Sequence, residues 1–322
     1  MKKKDSNWVL PIFVSLLIII GLILGLVFGL KKEDYRHYPK IAVATMTKEP
    51  VNFDIWLDYF LKNLKINKIY LRIENTYSLK SLITKYQNKY PGKIDAYFID
   101  NVDNKNTYDN QQDRQNKFID KIKSDAKSNN IDFILHVDDD ELFWVNPKYK
   151  HIQDFFYTLD DNVENVHFTN IEAIYPDKAQ TCFSTSKFYN CSRGGDCKSY
   201  ANGKSAGNFS SHGYRLRLHG PHNFSGKTLN VSEDDALVLH FESCNFGKWW
   251  QKFKNLSNID KKTYNNIPFD FYKKSINLIR DCKKDENSCQ LEAKKYWRKN
   301  KVDPYYKSKS RGLMQIDRHL RR

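Results

Sequence analysis

Strand and helix signals alternate along residues 41–137, and this alternation limits the fold more than any other feature of the chain. Short apolar runs suited to buried strands occur at residues 41–46, 68–73, 94–99 and 131–137. Between them, apolar residues repeat at helical spacing over residues 53–64, 78–90 and 111–127. Connections of this length join parallel strands by right-handed crossovers. The pattern predicts an α/β fold with a Rossmann-like, mostly parallel sheet and helices on both faces.

Four consecutive acidic side chains, Asp138 to Glu141, follow the last of these strands. Carboxylates packed so closely repel one another, and a divalent cation relieves that repulsion. Ligands of such sheets bind at the carboxyl ends of the strands. We therefore expect a site for Mn²⁺ or Mg²⁺ here, with Asp138 and Asp140 as ligands and Asp139 and Glu141 supporting them.

Beyond Trp144 the pattern is less regular. Residues 163–168 and 236–241 have the composition of strands, and helical signals run from residue 246 to 297. Residues 182–211 are rich in Gly, Ser and Asn and are predicted to form long loops. The expected folded domain spans residues 39–300.

The N-terminal segment differs from the rest. Residues 8–30 carry no charged side chain, and as a helix they would extend about 34 Å, enough to cross a bilayer. We predict a short basic tail at residues 1–7, a transmembrane anchor at 8–30 and a stem at 31–38. Lysines lie on both sides of the anchor, so the positive-inside rule barely decides its orientation.

Cysteines and glycosylation motifs favour a lumenal or extracellular body. Six cysteines lie in the second half, and two pairs, Cys191 with Cys197 and Cys282 with Cys289, are close enough to close small loops. Asn-x-Ser motifs begin at Asn190, Asn208, Asn223, Asn230 and Asn255. These features predict a single-pass, type II membrane glycoprotein whose body lies in a Golgi- or ER-like lumen. Free thiols and chance motifs are the alternative.

The net charge of +15 is unevenly distributed, with eleven Lys/Arg against two Asp in residues 294–322. In a tethered protein, a basic C-terminal tail at residues 301–322 is expected to lie against anionic headgroups or a polyanionic substrate, or simply in solvent. A nucleic-acid partner is not expected.

Three segments, in this order, resemble motifs of GT-A glycosyltransferases of the family 2-like and family 92 type. They are residues 45–59, with Thr47-Lys48-Glu49-Pro50 where Lys-Asn-Glu is usual, residues 69–78, and the Asp-Asp-Asp-Glu-Leu-Phe of residues 138–143. Residues 236–250 resemble a later strand of these enzymes that ends in histidine. Ile55 departs from the pattern, since a Glu often precedes Trp56.

The resemblance implies a membrane-anchored, metal-dependent glycosyltransferase that moves a sugar from a nucleotide-sugar, a UDP-sugar, to a glycan or glycoprotein acceptor with inversion. Residues 39–145 would bind the nucleotide-sugar and residues 146–300 the acceptor. His240 would complete the metal shell, with His219 and His222 as rivals. The residues expected to line the donor site are Thr45, Glu49, Glu74, Asp138 and Asp139. The candidates for the general base are Glu172, Glu233, Asp234 and Asp235.

Two other functions compete. The chain could be a catalytically inactive, tethered glycan-binding protein of the same fold, although the intact acidic cluster argues against it. It could also be a metal-dependent hydrolase, but two-metal hydrolases need several ligands from separate strands, and only His136 lies beside the cluster in the sequence.

Overall fold

The computed structural model describes residues 37–102, 108–190, 201–211, 215–282, 285–307 and 313–316. The described residues from Pro39 onward form one compact unit. The predicted tail at 1–7, the anchor at 8–30 and most of the stem lie outside the described residues. Within the described ranges, no helix is both long and apolar enough to span a bilayer.

The bounds of the elements are as follows. The strands are β1 (Ile41–Thr47), β2 (Lys68–Glu74), β3 (Ile94–Ile99), β4 (Phe133–His136), β5 (Glu141–Val145), β6 (Asn165–Phe168), β7 (Asn170–Ala173), β8 (Lys187–Tyr189), β9 (Lys204–Asn208), β10 (Leu218–His219), β11 (Asn223–Phe224), β12 (Thr228–Asn230), β13 (Ala236–His240) and β14 (Leu313–Gln315). The α-helices are α1 (Phe53–Asp58), α2 (Lys80–Lys89), α3 (Tyr108–Ser128), α4 (Ile152–Tyr157), α5 (Phe246–Leu256), α6 (Lys261–Asn266), α7 (Asp270–Arg280) and α8 (Glu286–Lys301). A π-helical turn, Tyr59–Asn63, extends α1, and 3₁₀ turns occupy Tyr77–Leu79 and Asp303–Tyr306.

Helices cover both faces of the first sheet, as predicted. Successive side chains of a strand point to opposite faces, and β1 follows this rule. Its Ile41 and Val43 pack with α1 and α2, whereas Ala42 and Ala44 pack with α3. Trp56 of α1 is fully buried in the first of these clusters.

The first sheet has the order β3-β2-β1-β4-β9-β6-β12. Its β3, β2, β1 and β4 are parallel, whereas β9 runs antiparallel to both of its neighbours. After β1 the chain adds β2 and β3 on one side and then β4 on the other. The strand order therefore reverses between β1 and β4, and the carboxyl ends of these strands form a crevice of the kind that receives ligands.

The prediction of loops across residues 182–211 is wrong, because β8 and β9 lie there. The segment that forms β9 lacks large apolar side chains, so no strand pattern is visible in its sequence. Small residues are required instead: a Cβ at Gly207 would lie 2.9 Å from the rings of both Phe209 and Phe224. Close packing against aromatic rings explains why a central strand has the composition of a loop.

A second sheet has the order β14-β8-β7-β13-β5. The chain crosses from the first sheet to the second at two short connections. The chain passes from β4 to β5 through residues 137–140, and from β6 to β7 through Thr169. Strand β13 pairs with both β5 and β7, which places His240 opposite Glu141 on one side and Glu172 on the other. The four acidic residues Asp138 to Glu141, called the acidic turn from here on, therefore lie where the two sheets meet.

A third apolar cluster joins α5, α7 and α8. Trp249, at 0 % exposure, belongs to this core. Trp297 Nε1 donates to the carbonyl oxygen of Ser243 at 2.9 Å, which ties α8 to the segment after β13. Lys301, placed by the sequence at the start of a basic tail, is buried, so the folded structure extends beyond the predicted end at residue 300.

Disulfide bonds join Cys182 to Cys244 and Cys282 to Cys289. The second is one of the two predicted close pairs, whereas Cys191 and Cys197 lie outside the described residues. Among the glycosylation motifs, Asn223, Asn230 and Asn255 are exposed, and Asn190 and Asn208 are buried. The two buried asparagines are inaccessible to a glycan in the folded chain.

Candidate active site

The acidic turn lies at the ends of three strands. Val137 follows β4, Thr47 ends β1, and His240 ends β13. Thr45 Oγ1 donates to the carbonyl oxygen of Val137 at 2.9 Å, and this bond fixes the start of the turn against β1. The predicted site is therefore at the point where the strand order reverses.

Glu141 holds the shape of the turn. Its Oε2 accepts a hydrogen bond from the backbone N–H of Asp138 at 2.8 Å, and its own N–H donates to the carbonyl oxygen of Asp138 at 3.1 Å. Trp56 Nε1 donates to the carbonyl oxygen of Glu141 at 3.0 Å. Because the Glu141 side chain is only 1 % exposed, it supports the turn and does not face a ligand.

The three aspartates diverge toward different elements. Asp138 points toward β9 and α3, Asp139 accepts a hydrogen bond from Thr47 Oγ1 on β1, and Asp140 points toward β13. The side chains of Asp138 and Asp140 are about one-third exposed, at 33 % and 37 %. The turn thus presents separate carboxylates to separate partners.

Lys204 of β9 is the partner of Asp138. Its ammonium lies 2.5 Å from Asp138 Oδ2 and 3.5 Å from Glu141 Oε2, and its side chain is fully buried. The other Asp138 oxygen, Oδ1, accepts from Gln115 Nε2 of α3 at 3.3 Å. Both oxygens of Asp138 are therefore engaged by protein donors, which does not fit the predicted role of metal ligand.

His240 is the partner of Asp140. Its Nε2 lies 3.6 Å from Asp140 Oδ2, and its Nδ1 lies 2.6 Å from Glu172 Oε1. Glu172 Oε2 in turn contacts the ammonium of Lys301 at 3.1 Å, with both side chains 2 % exposed. A carboxylate on one ring nitrogen orients a histidine so that the other nitrogen faces a metal.

Burial and neighbouring charges shift the pKa values of Asp138, Asp139 and His240 in different directions. Burial raises the pKa of Asp138, but the ammonium of Lys204, together with His136 and His222, holds that pKa well below its usual range. Burial, with the charge of Asp140, raises the pKa of Asp139 to about 7. Burial alone would lower the pKa of His240, yet Glu172 and Asp140 hold it well above its ordinary value. The free site is therefore neutralised in part by protein cations.

The base candidates separate into two groups. Glu172 is buried and engaged by His240, Asn170 and Lys301, so it is not placed to take a proton from an acceptor. The other three, Glu233, Asp234 and Asp235, precede β13, and β13 is antiparallel to β5. Asp235 is five positions before His240 along this strand, a distance of about 17 Å.

The contacts of these three residues agree with a distant position. Glu233 accepts from Asn190 Nδ2 at 2.7 Å, and Asp235 pairs with Lys148 and with the Tyr149 hydroxyl. Glu233, Asp234 and Asp235 therefore lie at the opposite end of β13, and of the four base candidates only Glu172 lies near the acidic turn, where it contacts His240.

The predicted donor-site residues Thr45, Glu74 and Glu49 differ in burial and in their hydrogen-bond partners. Thr45 is fully buried, and Glu74 accepts from Arg72 Nε at 2.7 Å and Arg114 Nε at 2.9 Å while only 2 % exposed. Glu49 is exposed: its N–H donates to Thr76 Oγ1, and its carbonyl oxygen accepts from Lys248 Nζ at 3.0 Å. Glu49 is therefore an exposed residue just beyond the end of β1, whereas Glu74 holds two arginines.

His219, His136 and His222 have surroundings different from those of His240. His219 is exposed in β10. His136 Nδ1 contacts the carbonyl oxygen of Pro221 and His222 Nδ1 that of Gly203, each at 3.1 Å. Burial and the charge of Lys204 lower the pKa of His136 to about 4 and that of His222 to about 3. Both are neutral at neutral pH, and His240 alone of the three candidates lies beside the turn's last aspartate.

Sequence reasoning missed Lys204, Thr47, Gln115 and Lys301. The first lies in a segment read as loop and the last in a segment read as tail, so neither had a visible pattern. A signal was available for Gln115, because it lies four residues before Ile119 on the predicted helix and three before Phe118, near the end that approaches the carboxyl edge of the sheet.

Comparisons with known proteins add little to this geometry. No protein-family model and no curated protein sequence matches the chain. Among solved structures, it is similar to 4-diphosphocytidyl-2C-methyl-D-erythritol synthase from Anaerococcus prevotii, with 13 % identity, 61 % of this chain and 89 % of that one covered, and a TM-score of 0.26. It is also similar to a mannosyltransferase from Pyrobaculum calidifontis in complex with GDP-Man and Mn²⁺, with 8 % identity, 81 % and 74 % covered, and a TM-score of 0.35. At these scores the account rests on the chain's own topology and side chains.

Proposed function

We propose that the chain is a divalent-metal-dependent glycosyltransferase that moves a sugar from a nucleotide-sugar to an acceptor. The observation that carries this proposal is the arrangement of Asp140, His240 and Glu172 at the crevice where the strand order reverses. The finer expectations belong to the same proposal: a GT-A enzyme of the family 2-like or family 92 type, a UDP-sugar donor, a glycan or glycoprotein acceptor, inversion, and a membrane-anchored lumenal body.

The donor set fits Mn²⁺ or Mg²⁺. With metal–ligand bonds of about 2.1 Å, two ligands of one ion lie about 3 Å apart at right angles and farther apart at wider angles, and His240 Nε2 and Asp140 Oδ2 are 3.6 Å apart. Within the described part of the chain, no three His, Cys, Asp or Glu side chains come together as a complete metal shell. An ion held by one or two protein groups takes its remaining ligands from substrate phosphates and water.

The chemistry of glycosyl transfer suits such a site. As the sugar departs, negative charge develops on the nucleoside diphosphate, and a bound dication stabilises that charge. Asp140 and His240 would hold the ion, and Glu172 keeps His240 oriented. Two further charged side chains lie beside the end of β1: Asp139 accepts a hydrogen bond from Thr47, and Lys248 donates to the carbonyl oxygen of Glu49.

Nucleotide-sugar turnover tests the proposal. The detergent-solubilised full chain is incubated with a panel of nucleotide-sugars and Mn²⁺, with and without candidate acceptors, and release of the nucleoside diphosphate is measured. We expect release from one donor class, loss of release with a chelator, and at least a hundredfold loss in Asp140→Asn, since a metal ligand is removed. Asp235→Asn is the matched control, because it removes an aspartate charge at the far end of β13.

The outcomes also distinguish the competing functions. Release that is undiminished by a chelator contradicts the metal-centred scheme. Metal-dependent cleavage with no transfer to any acceptor would favour a hydrolase. Nucleotide-sugar binding without cleavage would favour an inactive binding protein.

A further inference from the structure

The carboxylates of the acidic turn face two different basic side chains, Lys204 and His240. One half, Asp138 and Glu141, lies within 2.5 and 3.5 Å of the buried ammonium. The other half, Asp140, faces His240 Nε2 at 3.6 Å. If this fully buried lysine moved away, the carboxylates of Asp138 and Glu141 would lose their cation while still partly or fully buried. Its charge is therefore a fixed part of the site.

The position of Lys204 follows from the fold. Strand β9 is inserted antiparallel between β4 and β6, and Lys204 begins it next to Phe168, the last residue of β6. Gly203, with φ +64°, precedes it, and a Cβ at residue 203 would lie 2.2 Å from the carbonyl oxygen of Phe168. The Gly203 N–H donates to Asn170 Oδ1 at 2.9 Å. The close approach of Gly203 to Phe168 and its hydrogen bond to Asn170 place Lys204 next to the acidic turn.

We propose that Lys204 is a positioning residue that keeps Asp138 out of the metal shell and weakens the site's hold on a dication. This inference rests on the proposed metal-dependent function. A fixed positive charge beside the turn repels a dication at Asp140, so the free protein holds metal weakly. The negative charges of a bound nucleoside diphosphate compensate for that repulsion, and the metal and the nucleotide bind and leave together.

The sign of the effect distinguishes this role from a structural one. Lys204→Met removes the repulsion, so the folded variant should bind Mn²⁺ about tenfold more tightly than the wild type in the absence of nucleotide. A lysine that merely maintained the fold would give weaker metal binding when removed. The matched control is Lys68→Met, which removes another mostly buried, ion-paired lysine whose partner is Asp95 at 2.9 Å. Lys68 begins β2 at the amino edge of the sheet, so its loss should leave Mn²⁺ affinity unchanged.

A double variant covers the case in which Lys204→Met does not fold. Lys204→Met with Asp138→Asn removes both charges of the buried pair, and neutral replacements of such pairs are often tolerated. The local charge is the same as in the wild type, and Asp138 is not a ligand in this account. The double variant should therefore bind one Mn²⁺ with an affinity within about threefold of the wild type.

The experiment measures Mn²⁺ binding to the full chain by electron paramagnetic resonance of the free ion, with and without UDP, and checks each variant's fold by circular dichroism. Tighter binding in Lys204→Met, or preserved binding in the double variant, supports the inference. Weaker binding in folded Lys204→Met, or loss of binding in the double variant, overturns it. If the wild type binds no Mn²⁺ with UDP or with any other nucleoside diphosphate, the proposed function itself fails, and the inference fails with it.

Discussion

Glu172→Gln tests the contacts around His240 most sharply. The amide keeps the size of the carboxylate and can still accept a hydrogen bond from Nδ1, but it has no charge. Glu172 orients His240 at 2.6 Å and pairs with Lys301 at 3.1 Å, so two separate effects are expected. One concerns metal affinity and the other concerns the free energy of unfolding.

The magnitudes follow from burial. Loss of a group that orients a metal-binding histidine typically weakens metal affinity by about 10- to 100-fold. Removing one partner of a buried ion pair costs about 3–5 kcal/mol. Glu242 Oε2, 3.8 Å from the same ammonium, retains part of the attraction, so we expect about 3 kcal/mol. For a domain of this size that loss lowers Tm by about 5 °C.

Two measurements separate the effects. Urea unfolding gives the free energy, and titration with Mn²⁺ in the presence of UDP gives the affinity at a temperature where the variant is folded. Asp235→Asn serves as the control because its ion pair with Lys148 is partly exposed and lies at the other end of β13. It should change stability by less than about 1 kcal/mol and leave metal affinity unaltered.

Either of two results would refute the reasoning. Unchanged Mn²⁺ affinity in folded Glu172→Gln would mean that Glu172 does not act through His240. Loss of turnover in Asp235→Asn with normal metal affinity would restore the original prediction of a general base before β13.

Three further predictions concern pH, packing and glycosylation. Burial lowers the pKa of His240, but Glu172 and Asp140 outweigh burial and hold that pKa well above its ordinary value, so a metal at Nε2 competes with a proton; Mn²⁺ affinity should therefore rise with pH as the proton is lost, and calorimetry in two buffers would contradict this by showing no proton release. Trp56→Phe removes a fully buried indole and its bond to the Glu141 carbonyl; we expect a loss of about 2–3 kcal/mol in urea unfolding, and a loss below about 0.5 kcal/mol would show that the turn does not depend on this contact. If the chain is secreted through a glycosylating compartment, peptide mass spectrometry should find glycans at Asn223, Asn230 or Asn255 and not at Asn190 or Asn208, whose side chains are buried.

The parallel half of the fold was predictable because its signals are local. Each strand from β1 to β4 is an apolar run, and each intervening helix has an apolar face, so the alternation gives both the sheet and the covering of its faces. The acidic turn at the end of β4 followed from the same reasoning. The predicted histidine also lies beside the turn, because β13 ends where β5 begins.

The parts that were not predictable depend on pairing between distant segments. Strand β9 has the composition of a loop, and its place between β4 and β6 brings Lys204 to Asp138 across 66 positions of sequence. The repulsion among the four acids was therefore overestimated, because Lys204 and His240 already neutralise part of it. The role of Glu172 depends on the register of β7 with β13, which no local pattern reveals. The distance of Asp235 from the site could have been foreseen, since residues before a strand lie at the edge opposite to its end.

A crystal structure of the full chain with Mn²⁺ and UDP would show directly whether Asp140 and His240 hold the metal. We expect anomalous density for one manganese ion bonded to Asp140 and His240 Nε2 and to the diphosphate, with Lys204 still paired to Asp138. Density for the ion at Asp138 with Lys204 displaced, or a bound nucleotide with no ion near Asp140, would contradict it.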